Sequence, residues 1–227
     1  MKHLIASGIF ILFLYSPIYA QTVGESIPKT ISKNENYLFY LHGAIVTSLG
    51  NNAIQKDFQE WGPYEYLNIL DSLKKRGFNV ISERRMPGVD NSIYEEKIYS
   101  QVDSLLKAGA VPRNIIIVGA SAGSEIAVNV SSKLKNPGIK YVIMGACWPD
   151  TYKDYLGTEL YGHFLSIIET TDPHGSCFKI FENRVYVKSY KEIKLNTGLS
   201  HGFLYKGYRS WIDPIVTWFE NAEDVKN

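Results

Sequence analysis

Gly119-Ala120-Ser121-Ala122-Gly123 is a G-x-S-x-G pentapeptide set between two contrasting runs. Before it stand Ile115, Ile116, Ile117 and Val118, a β-branched apolar run that reads as a fully buried strand. After it Ile126, Ala127 and Val130 recur with helical spacing. A sharp turn from strand to helix projects a serine hydroxyl above a sheet, where it can attack an acyl carbon. Gly119 and Gly123 then stand where strand and helix pass too close for a Cβ. Ala122, first in the helix, aims its backbone N–H at the same space, and the helix N-terminus favours negative charge there.

Serine is a poor nucleophile near neutral pH. It needs an imidazole to take its proton, and the imidazole needs a carboxylate to fix its tautomer and stabilise its charge. The loops after the expected strands contain these groups in chain order: Ser121, then Asp172 in Thr170-Thr171-Asp172, then His201 in Thr197-Gly198-Leu199-Ser200-His201-Gly202. Glu169 and Asp150 are the rival acids, and Asp172 is preferred because it lies in a turn just past a strand, held extended before Pro173. His42 reads as a local hydrogen-bonding residue, and His163 and His174 as surface or core packing. No His-x-x-x-His or Cys-x-x-Cys spacing occurs, so no metal site is expected.

These residues need a scaffold, and the remaining pattern describes one. Strands are expected at 37–41, 78–82, 114–118, 139–146, 164–169 and 191–195. Helices are expected around Tyr66 to Leu73, Ile93 to Leu106, the segment after Ser121, and Trp211 to Phe219, where Asp213-Pro214 could restart or kink the helix. Residues 21–36 are polar and irregular. The alternation implies an α/β three-layer sandwich around a mostly parallel sheet of about six strands. Ligands of such sheets bind beyond the carboxyl ends of the strands, where all the candidate loops lie. Asn129-Val130-Ser131 matches a glycosylation sequon but falls on the expected helix and reads as chance.

With the pentapeptide and the order Ser121, Asp172, His201 in place, the chain resembles the α/β-hydrolase superfamily over essentially all of residues 21–227. The resemblance implies a triad of these three residues and no cofactor. It also implies an oxyanion hole from the N–H of Ala122 and one from the loop after the first strand, Ala44 or its neighbour Ile45. That loop, His42-Gly43-Ala44-Ile45, departs from the His-Gly-Gly-Gly run of some esterases. The sheet starts late, as though the family's first two strands were absent or vestigial. About seventeen residues separate the strands around the aromatic cluster of Trp148, Tyr152, Tyr155 and Tyr161, too few for a large lid. Trp148 and Tyr152 are candidates for substrate contact, with ordinary loop packing as the alternative.

Composition bounds the rest. The chain has 227 residues, 45% hydrophobic and 13% aromatic, enough for one domain with a sizeable core once residues 1–20 are set aside. Met1-Lys2-His3, an apolar stretch from Leu4 to Tyr15 and Ser16-Pro17-Ile18-Tyr19-Ala20 read as a secretory signal peptide, too short to anchor the chain in a membrane. The 24 basic and 23 acidic residues argue against nucleic acid or an anionic membrane as partner. Cys147 and Cys177 follow neighbouring strands and are either a disulfide or free buried thiols. The expectation is an exported serine esterase acting on a small-molecule or polymer-attached ester. A thioesterase or peptidase with the same triad, or a binding module on a hydrolase scaffold, are the alternatives.

Overall fold

The computed structural model of the protein describes residues 21–55 and 61–221. The expected signal peptide lies outside the described residues. Strands β1 (Val23–Gly24), β2 (Asn36–Leu41), β3 (Phe78–Ile81), β4 (Ile115–Ala120), β5 (Lys140–Met144), β6 (Gly162–Glu169) and β7 (Val187–Leu195) form one sheet in the order β1-β3-β2-β4-β5-β6-β7. Every pairing is parallel. The seventh strand, β1, is a two-residue edge in the stretch that reads as irregular.

Alternate residues of the central strands enter two separate cores, as the pleat demands. Leu38, Tyr40, Ile116, Val118 and Ala120 face one layer, with helices α3 (Tyr66–Lys74) and α7 (Arg209–Asn221) over them. Tyr37, Phe39, Ile115 and Ile117 face the other, under α4 (Asn91–Lys107) and α5 (Ala122–Leu134). Burial on both faces is why these strands are continuous apolar runs. Helix α7 runs through Pro214 without ending, and Trp211 is fully buried on its inner face. Asn129 of the sequon lies on α5 and bonds Glu95 from Nδ2 at 2.7 Å.

Two short helices after β2, α1 (Ala44–Leu49) and α2 (Asn51–Gln55), occupy a stretch that reads as loop. No lid helix stands between β5 and β6; a 3₁₀ turn at Thr151–Tyr155 fills that connection. The short helix α6 (Phe178–Phe181) precedes β7. From β2 the chain moves outward to β3 and then crosses back to β4 on the other side of β2. That reversal opens a crevice at the carboxyl ends of β2 and β4, where His42-Gly43-Ala44 and Ser121 emerge.

Candidate active site

Ser121 follows the last residue of β4 with φ 51° and ψ −121°, a region in which a side chain costs on the order of 1–3 kcal/mol. Its surroundings hold it there. Ser121 N–H donates to the Met144 carbonyl at 2.8 Å. Buried Ser124 donates from Oγ to the Gly119 carbonyl at 2.8 Å and accepts from Met144 N–H at 3.1 Å, tying the turn to β5. A Cβ on Gly119 would stand 2.5 Å from the Cα of Ser124, and one on Gly123 2.0 Å from the Leu41 oxygen. Both glycines are therefore required by backbone contact. Ala122 opens α5, so its N–H has no intrahelical acceptor.

Asp172 sits on the turn after β6, its N–H bonded to the Glu169 carbonyl at 2.9 Å. Its side chain is completely buried. His201, in the 3₁₀ turn Ser200–Leu204, lies with Nδ1 2.7 Å from Asp172 Oδ2. A carboxylate only accepts, so Nδ1 carries a proton, which fixes the tautomer with Nε2 as the acceptor that a general base needs. Burial raises the Asp172 pKa, but bonds from His174 and His201 outweigh it and hold the carboxyl well below the usual range. Gly145 links this pair to the serine. It follows Met144, and a Cβ on it would stand 3.2 Å from both Asp172 Oδ2 and His201 Cε1.

The rival acids are placed otherwise. Glu169 is buried and accepts from Thr197 N–H at 2.9 Å, Thr197 Oγ1 at 2.7 Å and Thr171 Oγ1 at 3.2 Å. Ser200 N–H donates to Thr171 Oγ1 at 3.0 Å, so Glu169 and Thr171 splice the acid loop to the histidine loop. Asp150 is exposed and pairs with Lys153 at 3.0 Å.

His174 belongs to the site, against the packing role its sequence position suggests. Its N–H and Nδ1 both bond Asp172 Oδ1, at 3.1 Å and 2.9 Å, so Asp172 carries one imidazole on each oxygen. The signal in the chain is Asp172-Pro173-His174, where an aspartate can accept from the N–H two residues on. The rings of His174 and His201 lie 4.7 Å apart, and Trp148 packs on His174 at 4.3 Å. The loop is pinned by the Cys147–Cys177 disulfide and by Gly175 N–H donating to the Cys147 carbonyl. Asp172, His174 and His201 could offer an ion three ligand atoms within 4.8 Å of one another. Both Nδ1 atoms, however, already bond the carboxylate.

On the far side of Ser121 the loop after β2 is rigid. A Cβ on Gly43 would touch that of Ser121 at 3.4 Å. His42 is fully buried, and the Arg85 N–H donates to its Nε2 at 2.9 Å. Nδ1 must then carry the proton and donate to the Gly43 carbonyl at 2.9 Å. Burial, with Arg85 nearby, lowers the His42 pKa to about 3, so the ring is a neutral brace. The Arg85 guanidinium also donates to the His42 carbonyl. Sequence reasoning missed Arg85, which sits in an exposed-looking Glu-Arg-Arg run yet is buried. Ala44 begins α1 with its N–H free of intrahelical bonds, next to this braced turn.

A cleft of about 370 Å³ opens beside Ser121 and Ala122, lined among others by Glu125, Trp148, Tyr155 and His174. Tyr152 does not line it. Thr151 and Asp154, three apart on the 3₁₀ turn, share the lining face, while Tyr152 lies under Lys179 with Nζ 5.2 Å from the ring. A larger hollow between β7 and α7, lined by Tyr190 and Trp218, is more apolar but contains none of the candidate residues.

No family model and no curated protein matches the chain. Solved structures do. SOBER1 of Arabidopsis thaliana superposes with a TM-score of 0.51 at 14% identity, covering 82% of this chain and 98% of its own. An esterase of the fungus Rhizomucor miehei gives 0.59 at 15%, covering 88% and 78%. An esterase/lipase from an uncultured bacterium gives 0.54 at 14%, covering 88% and 79%. With its parallel sheet, its helices on both faces and these structural neighbours, the chain has the α/β-hydrolase fold.

Proposed function

We propose that the protein is a serine hydrolase that cleaves carboxylic esters through an acyl-enzyme. The observation that carries this is the buried Asp172 carboxylate aligned on His201 Nδ1 at the sheet edge from which the strained Ser121 emerges. Ser121 Oγ attacks the acyl carbon as His201 Nε2 takes its proton. The oxyanion is held by the N–H groups of Ala122 and Ala44, and His201⁺, stabilised by Asp172, returns the proton to the leaving alcohol. Water, activated by the same imidazole, then attacks the acyl-enzyme and frees Ser121. The esterase neighbours support this reading at the level of fold.

A fluorophosphonate probe and a panel of esters test it. The wild type should be labelled and turn over at least one ester, and Ser121→Ala should lose both, with kcat down by about 10⁴ to 10⁶. Labelling of Ser121→Ala would move the nucleophile elsewhere. Export of residues 21–227 is part of the same proposal, and the Cys147–Cys177 disulfide fits an oxidising compartment. Amino-terminal sequencing of protein recovered outside the cytosol should begin at or near Gln21; a cytosolic chain retaining residues 1–20 would sink that part.

A further inference from the structure

We propose that the cleft beside Ser121 selects esters bearing an alkylammonium group. The inference rests on the ester-hydrolase reading and gives its substrate class. The acidic side chains lining the cleft are Glu125, in the first turn of α5, and Asp154, in the 3₁₀ turn Thr151–Tyr155; among the described residues no lysine or arginine lines it. Cations beside the lining residues have other partners, Arg184 among them, which donates to the Tyr155, Thr158 and Ile180 carbonyls, each at 2.8 Å. Lys153 pairs with Asp150 at 3.0 Å, Lys133 with Glu96 at 2.8 Å, and Lys179 lies over Tyr152. Neither Glu125 nor Asp154 has a salt-bridge partner among the described residues.

Three further groups point to the same ligand. Tyr155 is 92% buried (8% exposed), lines the cleft, and its hydroxyl has no hydrogen-bond partner among the described residues. Burial first, then Glu125 and Asp154, push its pKa well up, so it stays a neutral phenol whose oxygen can accept. His174 lines the cleft and donates Nδ1–H to Asp172, a bond that fixes the tautomer in which Nε2 is the acceptor. Trp148 is half exposed at the rim, an indole face of the kind that attracts ammonium groups. The polar lining is thus rich in acceptors and negative charge.

The chemistry of the serine adds a reason. A carboxylate in the first turn of α5 opposes the positive potential that the Ala122 N–H gives a developing oxyanion. A substrate cation in the cleft offsets it, whereas an anionic substrate is repelled by Glu125 and Asp154. The selective group is therefore positive, on either the acyl or the alcohol side of the scissile bond.

Matched pairs test this: choline butyrate against its neutral isostere dimethylbutyl butyrate, and an aminohexanoyl nitrophenyl ester against the heptanoyl ester. In at least one pair the cationic member should have kcat/KM higher by at least about fivefold, the scale of one or two partly screened ion pairs. The ratio should shrink as salt rises. It should fall towards unity in the Glu125→Gln/Asp154→Asn double variant. Equal or better turnover of both neutral members, or a preference that survives the double variant, overturns the proposal while leaving the hydrolase reading intact. Should no ester be turned over, the hydrolase reading falls, and calorimetric titration with hexylammonium decides the cleft alone. Binding that the double variant weakens by at least about fivefold sustains the cation site; unchanged or undetectable binding ends it.

Discussion

His174 donates from Nδ1 to Asp172 Oδ1 at 2.9 Å while His201 holds the other carboxylate oxygen at 2.7 Å. One buried carboxylate therefore orients two imidazoles, and they have different tasks. His201 carries the base role in the proposed triad, so His201→Ala should cost about 10⁴ or more in kcat. His174→Ala leaves the Asp172–His201 bond in place and removes a cleft wall, so KM should rise with kcat down by no more than about tenfold. Steady-state constants for the two variants decide; an inactive His174→Ala beside an active His201→Ala would exchange their roles.

The three carboxylates near the strand ends should separate in the same kind of experiment. Asp172→Asn keeps the shape but lets His201 take the wrong tautomer, a loss of about 10⁴ in kcat near neutral pH. Asp150→Asn, exposed on the surface, should stay within about twofold of the wild type. Glu169→Gln should act mainly on stability, because an amide oxygen and NH₂ cannot replace a carboxylate that accepts from Thr197, Thr171 and Thr170. Urea unfolding should register a loss of about 1–3 kcal/mol. An inactive Asp150→Asn with a normal Asp172→Asn would overturn the acid.

Cys147 and Cys177 close a loop with a sequence separation of 30, which contains the 3₁₀ turn, β6 and Asp172. Loop-closure entropy puts the contribution of such a link at roughly 4 kcal/mol, or about 8–16 °C in Tm for a chain of this size. Thiol titration of the denatured, unreduced protein should find no free thiol. Reduction, or Cys147→Ser with Cys177→Ser, should lower Tm and also kcat, since the link pins the loop bearing Asp172 and His174. Two free thiols in the unreduced protein would remove the premise.

His42 makes stability depend on pH. Its folded pKa, lowered to about 3, lies below the value near 6.5 of the unfolded chain, so between these pH values the unfolded state binds the extra proton. Stability from this group is therefore complete above about pH 6.5 and is lost as pH falls towards 3. Asp172, with its depressed pKa, adds a loss of the same sign below about pH 4. Denaturant titrations from pH 7 to pH 5 isolate the histidine: the wild type should weaken across that window, and His42→Gln should flatten the slope. A slope unchanged in His42→Gln would exclude the ring as its source.

The elements that position the serine are plain in the sequence because β4 is a fully buried apolar run and α5 buries one face along its length. Ile115 to Val118 and the helix after Ser121 carry both period and punctuation, and Asp172 and His201 follow strands with clear apolar signals. What was hidden depends on contacts between distant segments. Val187 to Tyr190 open β7 on a sheet edge, half exposed, so that strand read four residues short. Val23–Gly24 become a strand only by pairing with Val80 and Ile81. The burial of Arg85 is set by His42, and the place of His174 by a turn that folds it back on Asp172. Polar residues carry no periodic signal, so their partners could be read only from the folded chain.

Gly145 gives the sharpest test of how closely the site is built. It has φ +53°, a conformation that disfavours any side chain, and a Cβ there would stand 3.1 Å from Leu204 Cδ1 and 3.2 Å from Asp172 Oδ2 and His201 Cε1. The backbone strain alone costs on the order of 1–3 kcal/mol. The contacts press on the carboxylate and imidazole, and neither can yield freely: the Asp172 side chain is fully buried and the loops are spliced through Glu169 and Thr171. Gly145→Ala should therefore fold with a lower Tm and lose about 10²-fold in kcat, the scale of a misplacement near 1 Å. KM should change less, because Gly145 does not line the cleft beside Ser121. A Gly145→Ala enzyme with full kcat would mean that Asp172 and His201 are not held at this spacing during the reaction.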